Sequence, residues 1–271
     1  MAEATAAAPA ATPPRAARLW EVDVARTVAI LMMVAYHAAW DVDALAADAL
    51  VDPFSGGWRA LQVACGSSFL AITGATLAVM NARARRRGMD GWTLYRRHAR
   101  RALEVAGAAL LVSLVTLVAL GDDHVRFGIL HCIAAAMFVG PLLVRAGVWL
   151  LPLAGAVLWA GFWVAERDPV STPWLLPLGV PLQGGAGVDW YPVLPWFAPF
   201  LVGLWLGRVL YPGGERGRWA ARWPEGGPWA VRLGAPGRHA LPVYLLHQPV
   251  LLVLVAGLLL LAGVEITTEV R

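Results

Sequence analysis

The chain is predicted to be all-α, a polytopic membrane bundle of about seven transmembrane helices with the N-terminus cytoplasmic and the C-terminus outside. Three observations carry that prediction. With 59% hydrophobic residues, 15% charged residues and a mean hydropathy of +0.61, a 271-residue chain is too apolar for a soluble domain. It contains seven apolar runs, each long enough to cross a hydrocarbon core. Its 22 basic residues are all arginine, and 18 of them fall in segments on the N-terminal side of a seven-span arrangement.

The runs follow in order. The first, Arg18 to Asp41, carries Asp23 and Arg26 near its start and His37 and Asp41 near its end, which is costly for a plain anchor. At about 100° per residue, Asp23, Arg26, Ile30, Met33, His37 and Asp41 share one stripe roughly 80° wide. Such a stripe suits a path through protein better than a lipid-facing surface. The other runs are Trp58 to Asn81, Ala102 to Leu120, Phe127 to Val144, Val148 to Ala165, Val193 to Leu210 and Leu241 to Gly263. Tryptophans near their ends, among them Trp40, Trp58, Trp149, Trp163 and Trp190, match aromatic belts.

The connecting segments complete the division. Residues 1–17, rich in alanine and proline, have no apolar period and are expected to be a disordered tail. A cleavable signal is the rival reading of this end, set aside because the polar stripe would then have no purpose. Residues 18–264 form the membrane domain and 265–271 a short outer tail. The loop from Glu166 to Pro192 is rich in proline and glycine, and its PWLLPLGVP portion is too short to span. Cys65 and Cys132 lie inside apolar runs, which excludes a secreted disulfide framework. The absence of lysine excludes lysine Schiff-base chemistry, and no P-loop, dinucleotide fingerprint or metal-ligand spacing is present.

In combination, the pattern Asp23, Arg26, His37, Trp40, Asp41, then FLAITG (Phe69 to Gly74), FGILHCIAAAM (Phe127 to Met137), DWYPVLPWFAPFLVGLWLGR (Asp189 to Arg208) and GRHALPVYLLHQPV (Gly237 to Val250) resembles the catalytic domain of heparan-alpha-glucosaminide N-acetyltransferase and its short relatives. The spacing from Arg26 to His37 and the pair Arg97 and Arg100 are also similar to acyltransferase family 3. One departure is Thr27, where the family usually has glycine after the arginine. The resemblance implies an integral membrane acyltransferase in a multi-pass cell membrane location. It would move an acetyl or similar group from cytoplasmic acetyl-CoA to a hydroxyl or amine, on a sugar or glycan, at the outer face. A membrane transporter or lipid-binding protein without covalent chemistry is the alternative.

The residues can be matched to that chemistry. Histidine titrates near neutral pH and serves as a general base, so His37 is the catalytic candidate, with Asp41 four residues on to orient its ring. His131 is placed to line the same cavity, or else to bond between helices. Arg26 with Asp23, the pair Arg97 and Arg100, and His247 are the expected donor-binding groups, His247 lying nearer Arg26 than His37. Part of the arginine run from Arg83 to Arg101 would hold phosphates, although topology alone also accounts for it. Asp189, Trp190, Tyr191 and Trp196 offer carboxylate and aromatic surface for a sugar acceptor, and equally a headgroup-level belt. No metal and no nucleic acid are expected; a homodimer is left open.

Overall fold

A computed structural model of the chain describes residues 18–222 and 226–267. The expected N-terminal tail and the last four residues of the expected outer tail lie outside the described residues. Nine α-helices occur among the described residues: α1 Trp20–Leu45, α2 Gly56–Arg86, α3 Gly91–Leu120, α4 Ile129–Leu143, α5 Leu150–Ala165, α6 Val193–Leu210, α7 Pro228–Leu233, α8 Ala235–Arg238 and α9 Ala240–Leu261. Six, counting α5 together with the short turn Gly147–Trp149 before it, are long and apolar enough to cross a membrane; the fourth apolar run, α4, is shorter, at 15 residues. The molecule is therefore an all-α membrane bundle built from the seven predicted runs. Isolated bridges replace any sheet among the described residues.

Small residues decide the tightest contact. Gly203 and Gly207, one turn apart on α6, meet Ala71 and Ala75 of α2 so closely that a β-carbon on Gly203 would lie 2.0 Å from the Ala71 carbonyl oxygen. A β-carbon on Gly74 would lie 2.1 Å from the Phe200 carbonyl oxygen. Within a bilayer, lipid tails are as apolar as leucine, so close backbone approach and dispersion hold helices together. Phe200, Leu201, Leu204 and Leu70 are fully buried around this seam. Leucines and valines of α3 and α5 face outward instead, as lipid-contacting sides do.

Two ends of the bundle can be told apart. At one end the start of α1 meets the end of α2 and the loop after α6: Arg216 pairs with Glu21 at 3.1 Å and Arg86 with Glu215 at 4.0 Å. At the other end, Ala47 N–H donates to the Glu265 carbonyl and Thr267 N–H to that of Leu45. The start of α1 and the segment after α9 thus lie at opposite ends, as an odd number of crossings requires. α4 runs between the same ends, since Asp189 meets its first turn and Arg208, at the end of α6, donates to Val144 just beyond its last. Positive charge favours the cytoplasmic side, so a reporter inserted near Gly88 is expected in the cytoplasm and one fused after Arg271 on the opposite side of the membrane. Finding both on one side overturns this arrangement.

Candidate functional site

The polar stripe of α1 faces α9, and the two helices run parallel in a steady register. Gly237 N–H donates to Thr27 Oγ1 at 3.0 Å, the rings of His37 and His247 are 4.7 Å apart, and Gln248 Nε2 donates to Asp41 Oδ1 at 2.5 Å. This corrects the expected depth of His247, which lies beside His37 and not on the Arg26 side. The sequence estimate counted from the start of the last apolar run as though that start were level with the start of α1. In the structure α9 begins deeper, because α7 and α8 occupy the space beside the first turns of α1. Thr27 makes this possible: its hydroxyl donates to the Leu233 carbonyl at 2.8 Å and accepts from Gly237. A β-carbon on Gly237 would sit 2.0 Å from the Asp23 carbonyl oxygen, so only glycine fits there.

Both histidines of the pair are held the same way. Nδ1 of His37 lies 2.9 Å from the Met33 carbonyl oxygen, and Nδ1 of His247 lies 2.5 Å from that of Tyr244. A carbonyl oxygen only accepts, so in the neutral rings Nδ1 carries the proton and Nε2 keeps its lone pair. Nε2 of His247 is buried with no partner among the described residues. The expected bond between Asp41 and His37 is not formed. His37 already spends Nδ1 on its own helix, and the fully buried Asp41 is bound by Gln248.

A cavity of about 410 Å³ opens at the arginine-rich end. Exposed Arg18 and Arg101 stand at its rim with Arg26 and Arg238, and its walls are apolar, including Phe69, Ile133 and Leu241. Tyr244, which lines it, contacts the His247 ring at 5.5 Å between centroids. Arg26 is held 3.5 Å from Asp23 and donates to Thr76 Oγ1 at 2.6 Å. Arg18 lies 3.4 Å from the same carboxylate, so Asp23, only 6% exposed, carries two cations.

Arg97 and Arg100 do not line this cavity; both are exposed, and Arg100 pairs with Glu104 at 3.6 Å one turn along α3. The residues of that run which do reach it are Arg101 and His98. His98 is 2% exposed, and its Nε2 has no partner among the described residues. Sequence reading passed over it inside RRHARR, where it looked like part of a charged loop. The available signal was helical phase, because α3 starts at Gly91 and sets Leu94, His98 and Ala102 on its buried side.

The remaining candidates are engaged in building the fold. His131 Nδ1 accepts from the Gly128 N–H at 3.2 Å in the first turn of α4, and Nε2 faces Ser113 Oγ of α3 at 3.5 Å. Its lone pair is therefore used in a helix cap, and it does not face the cavity. Asp189 accepts from the Ile129 N–H at 3.0 Å, a carboxylate at a helix N-terminus. Trp190 Nε1 donates to the Leu176 carbonyl at 3.1 Å, which pins the short turn Pro173–Leu178. Tyr191 is buried against Trp196, ring centres 4.5 Å apart, and its N–H donates to Phe127. Asp189 and Trp190 thus spend polar groups on closing the loop over α4, and Tyr191 and Trp196 pack on each other.

Burial pushes the Asp189 carboxyl up to about 6, although the Ile129 N–H works against the rise. The folded state therefore binds a proton more tightly than the unfolded chain, whose aspartates titrate near ~3.9. Stability from this group is present at low pH and is lost as pH rises from about 4 to about 6. Asp189→Asn keeps an acceptor for Ile129 without the charge. Its melting temperature is expected to fall less than the wild type's over that interval, and parallel curves would refute the assignment.

Curated protein sequences offer no match to the chain. The sequence pattern of the family described as heparan-alpha-glucosaminide N-acetyltransferase, catalytic, matches residues 18–249, which takes in the polar stripe of α1, the cavity and the His37–His247 pair. The chain therefore belongs to the heparan-alpha-glucosaminide N-acetyltransferase catalytic family of membrane acetyltransferases.

Proposed function

We propose that the protein transfers an acetyl or similar acyl group from acyl-CoA, entering from the arginine-rich cytoplasmic end, to a hydroxyl or amine of a sugar-like acceptor at the outer face. The observation that carries this reading is the cavity itself. It has a cationic rim and apolar walls, and one of its lining residues, Tyr244, packs against His247, whose ring packs on that of His37; the Nε2 atoms of both are unprotonated in the neutral ring. Phosphates of the donor would meet Arg18, Arg26, Arg101 and Arg238, and the pantetheine arm would run along the apolar walls toward the histidines.

His37 serves as the base. Its Nε2 takes the proton of the acceptor hydroxyl or amine while the acceptor oxygen or nitrogen bonds to the thioester carbon. The carbon–sulfur bond then breaks, and the leaving thiolate takes the proton back from the imidazolium. His247 packs edge-on against the His37 ring and keeps it aligned. Asp23 and Thr76 hold the Arg26 guanidinium at the donor side.

Arg101 is the most accessible test of donor binding, because its recorded side-chain bond is a weak one to Met80 Sδ at 3.3 Å. Arg101→Gln is expected to raise the KM for acetyl-CoA about tenfold and to weaken its salt dependence. Arg97→Gln together with Arg100→Gln should leave that constant unchanged. The opposite ranking would move the donor off this cavity, and absence of acetyl-CoA binding or turnover by purified wild type would favour a transporter or lipid-binding role.

A further inference from the structure

The cavity wall offers a ligand few hydrogen-bond donors, and they can be taken one by one. Backbone N–H groups inside its helices are already used by those helices. The arginines stand at the rim, and His98 precedes Arg101 by three positions on α3, nearer the arginine-rich end. Asp23 and Glu104 present carboxylates, which only accept. Thr73 Oγ1 donates to the Phe69 carbonyl at 2.7 Å and Thr76 Oγ1 to that of Ile72 at 2.7 Å, both within α2. What remains is Tyr244. Among the described residues its carbonyl is hydrogen-bonded, to His247 Nδ1, and its hydroxyl is not. A phenol in an apolar wall normally finds an acceptor, and here that acceptor has to arrive with the ligand.

Position says which acceptor. Tyr244 is the last residue of α9 to line the cavity, after Ala240 and Leu241. Its ring packs against three buried clusters, those of Ile30 and Met33, of Ala109 and Leu130, and of Ile129 and Phe197, so it is held on several sides. Its ring centre is 5.5 Å from that of His247, which in turn is 4.7 Å from that of His37. The uncommitted O–H of the wall therefore belongs to a fixed ring that touches the histidine pair. We infer that Tyr244 is a catalytic residue, whose hydroxyl donates to the carbonyl oxygen of the acyl thioester and stabilises the negative charge that develops there. As the acceptor oxygen or nitrogen bonds to the thioester carbon, the C=O electron pair moves onto that oxygen, and Tyr244 holds it without giving up its own proton. When the pair returns, the carbon–sulfur bond breaks and the His37 imidazolium protonates the thiolate. A donor fixed in advance by packing needs no reorganisation at the moment of reaction, which is what makes such a group effective. This rests on the acyl-transfer reading above.

The test uses purified full-length protein and separates the hydroxyl from the ring. With glucosamine as acceptor, Tyr244→Phe is expected to lower kcat about 10² to 10³-fold, the loss on removing one oxyanion donor, with the KM for acetyl-CoA and the melting temperature little changed. Tyr244→Leu also removes the ring and should lose melting temperature as well. A role in packing alone predicts a phenylalanine variant like wild type and an impaired leucine variant, and that result overturns the inference. So does a raised KM with kcat kept in Tyr244→Phe, which would place the hydroxyl on the pantetheine arm. A second measurement needs no acceptor and no variant. The ketone analogue of acetyl-CoA, in which a methylene replaces the thioester sulfur, is bound to wild type with its carbonyl labelled with carbon-13, and the infrared stretch is read. A hydrogen-bonded carbonyl gives a frequency at or below that in water, and Tyr244→Phe should raise it. A wild-type frequency above that in water means that no donor reaches the carbonyl, and overturns the assignment while leaving acyl transfer standing. Failure of wild type to bind either acetyl-CoA or the analogue overturns the acyl-transfer reading and this inference with it.

Discussion

His37→Ala is expected to lower turnover by about 10² to 10⁴, the usual worth of a positioned proton acceptor, with acetyl-CoA binding and melting temperature little changed. The imidazole is held through Nδ1 by the Met33 carbonyl, so what the substitution removes from the reaction is Nε2. A purely structural histidine predicts the reverse. Loss of one interhelical or helix-backbone bond in a membrane protein costs about 0.6 kcal/mol on average and would leave activity per folded molecule intact. Asp41→Asn is expected to cost less turnover than His37→Ala, because its partner is Gln248 and not the His37 ring. Turnover, donor affinity and melting measured on the same preparations decide the matter, and full activity in folded His37→Ala sinks the mechanism.

Gly203→Leu is expected to abolish accumulation of folded protein, or to lower stability by about 3 kcal/mol or more, the upper range for overpacking. The atom in the way is a backbone carbonyl, that of Ala71, only 2.0 Å from where a β-carbon would lie, so no side chain can swing aside to relieve the clash. Separating α2 from α6 would also open the seam around Phe200 and Leu204. Gly155→Leu is the matched control. It lies on the exposed side of α5 with nothing within 4 Å of its β-carbon position, and is expected to stay within about 0.5 kcal/mol of wild type. Equal behaviour of the two variants would mean that the close approach of α2 and α6 is not required.

The amino-acid sequence by itself determined the membrane class, the seven apolar segments, the family and the stripe of Asp23, Arg26, His37 and Asp41. These are properties of length, hydropathy and helical phase within single segments, and a helix in a bilayer satisfies its own backbone whatever its neighbours do. The exposed arginines were legible as a charged end for the same reason. Which groups meet was decided only by the tertiary structure, because register between helices far apart in sequence depends on small residues and on where each helix begins. Thr27 and Gly237 set α9 against α1 so that His247 reaches His37 and Gln248 takes Asp41. The same logic drew Asp189 and His131 into the cap of α4, and turned His98 and Arg101 toward the cavity while leaving Arg97 and Arg100 outside it. Helical phase within α3 sets a buried side, but which of its residues meet a cavity depends on walls that lie on distant segments.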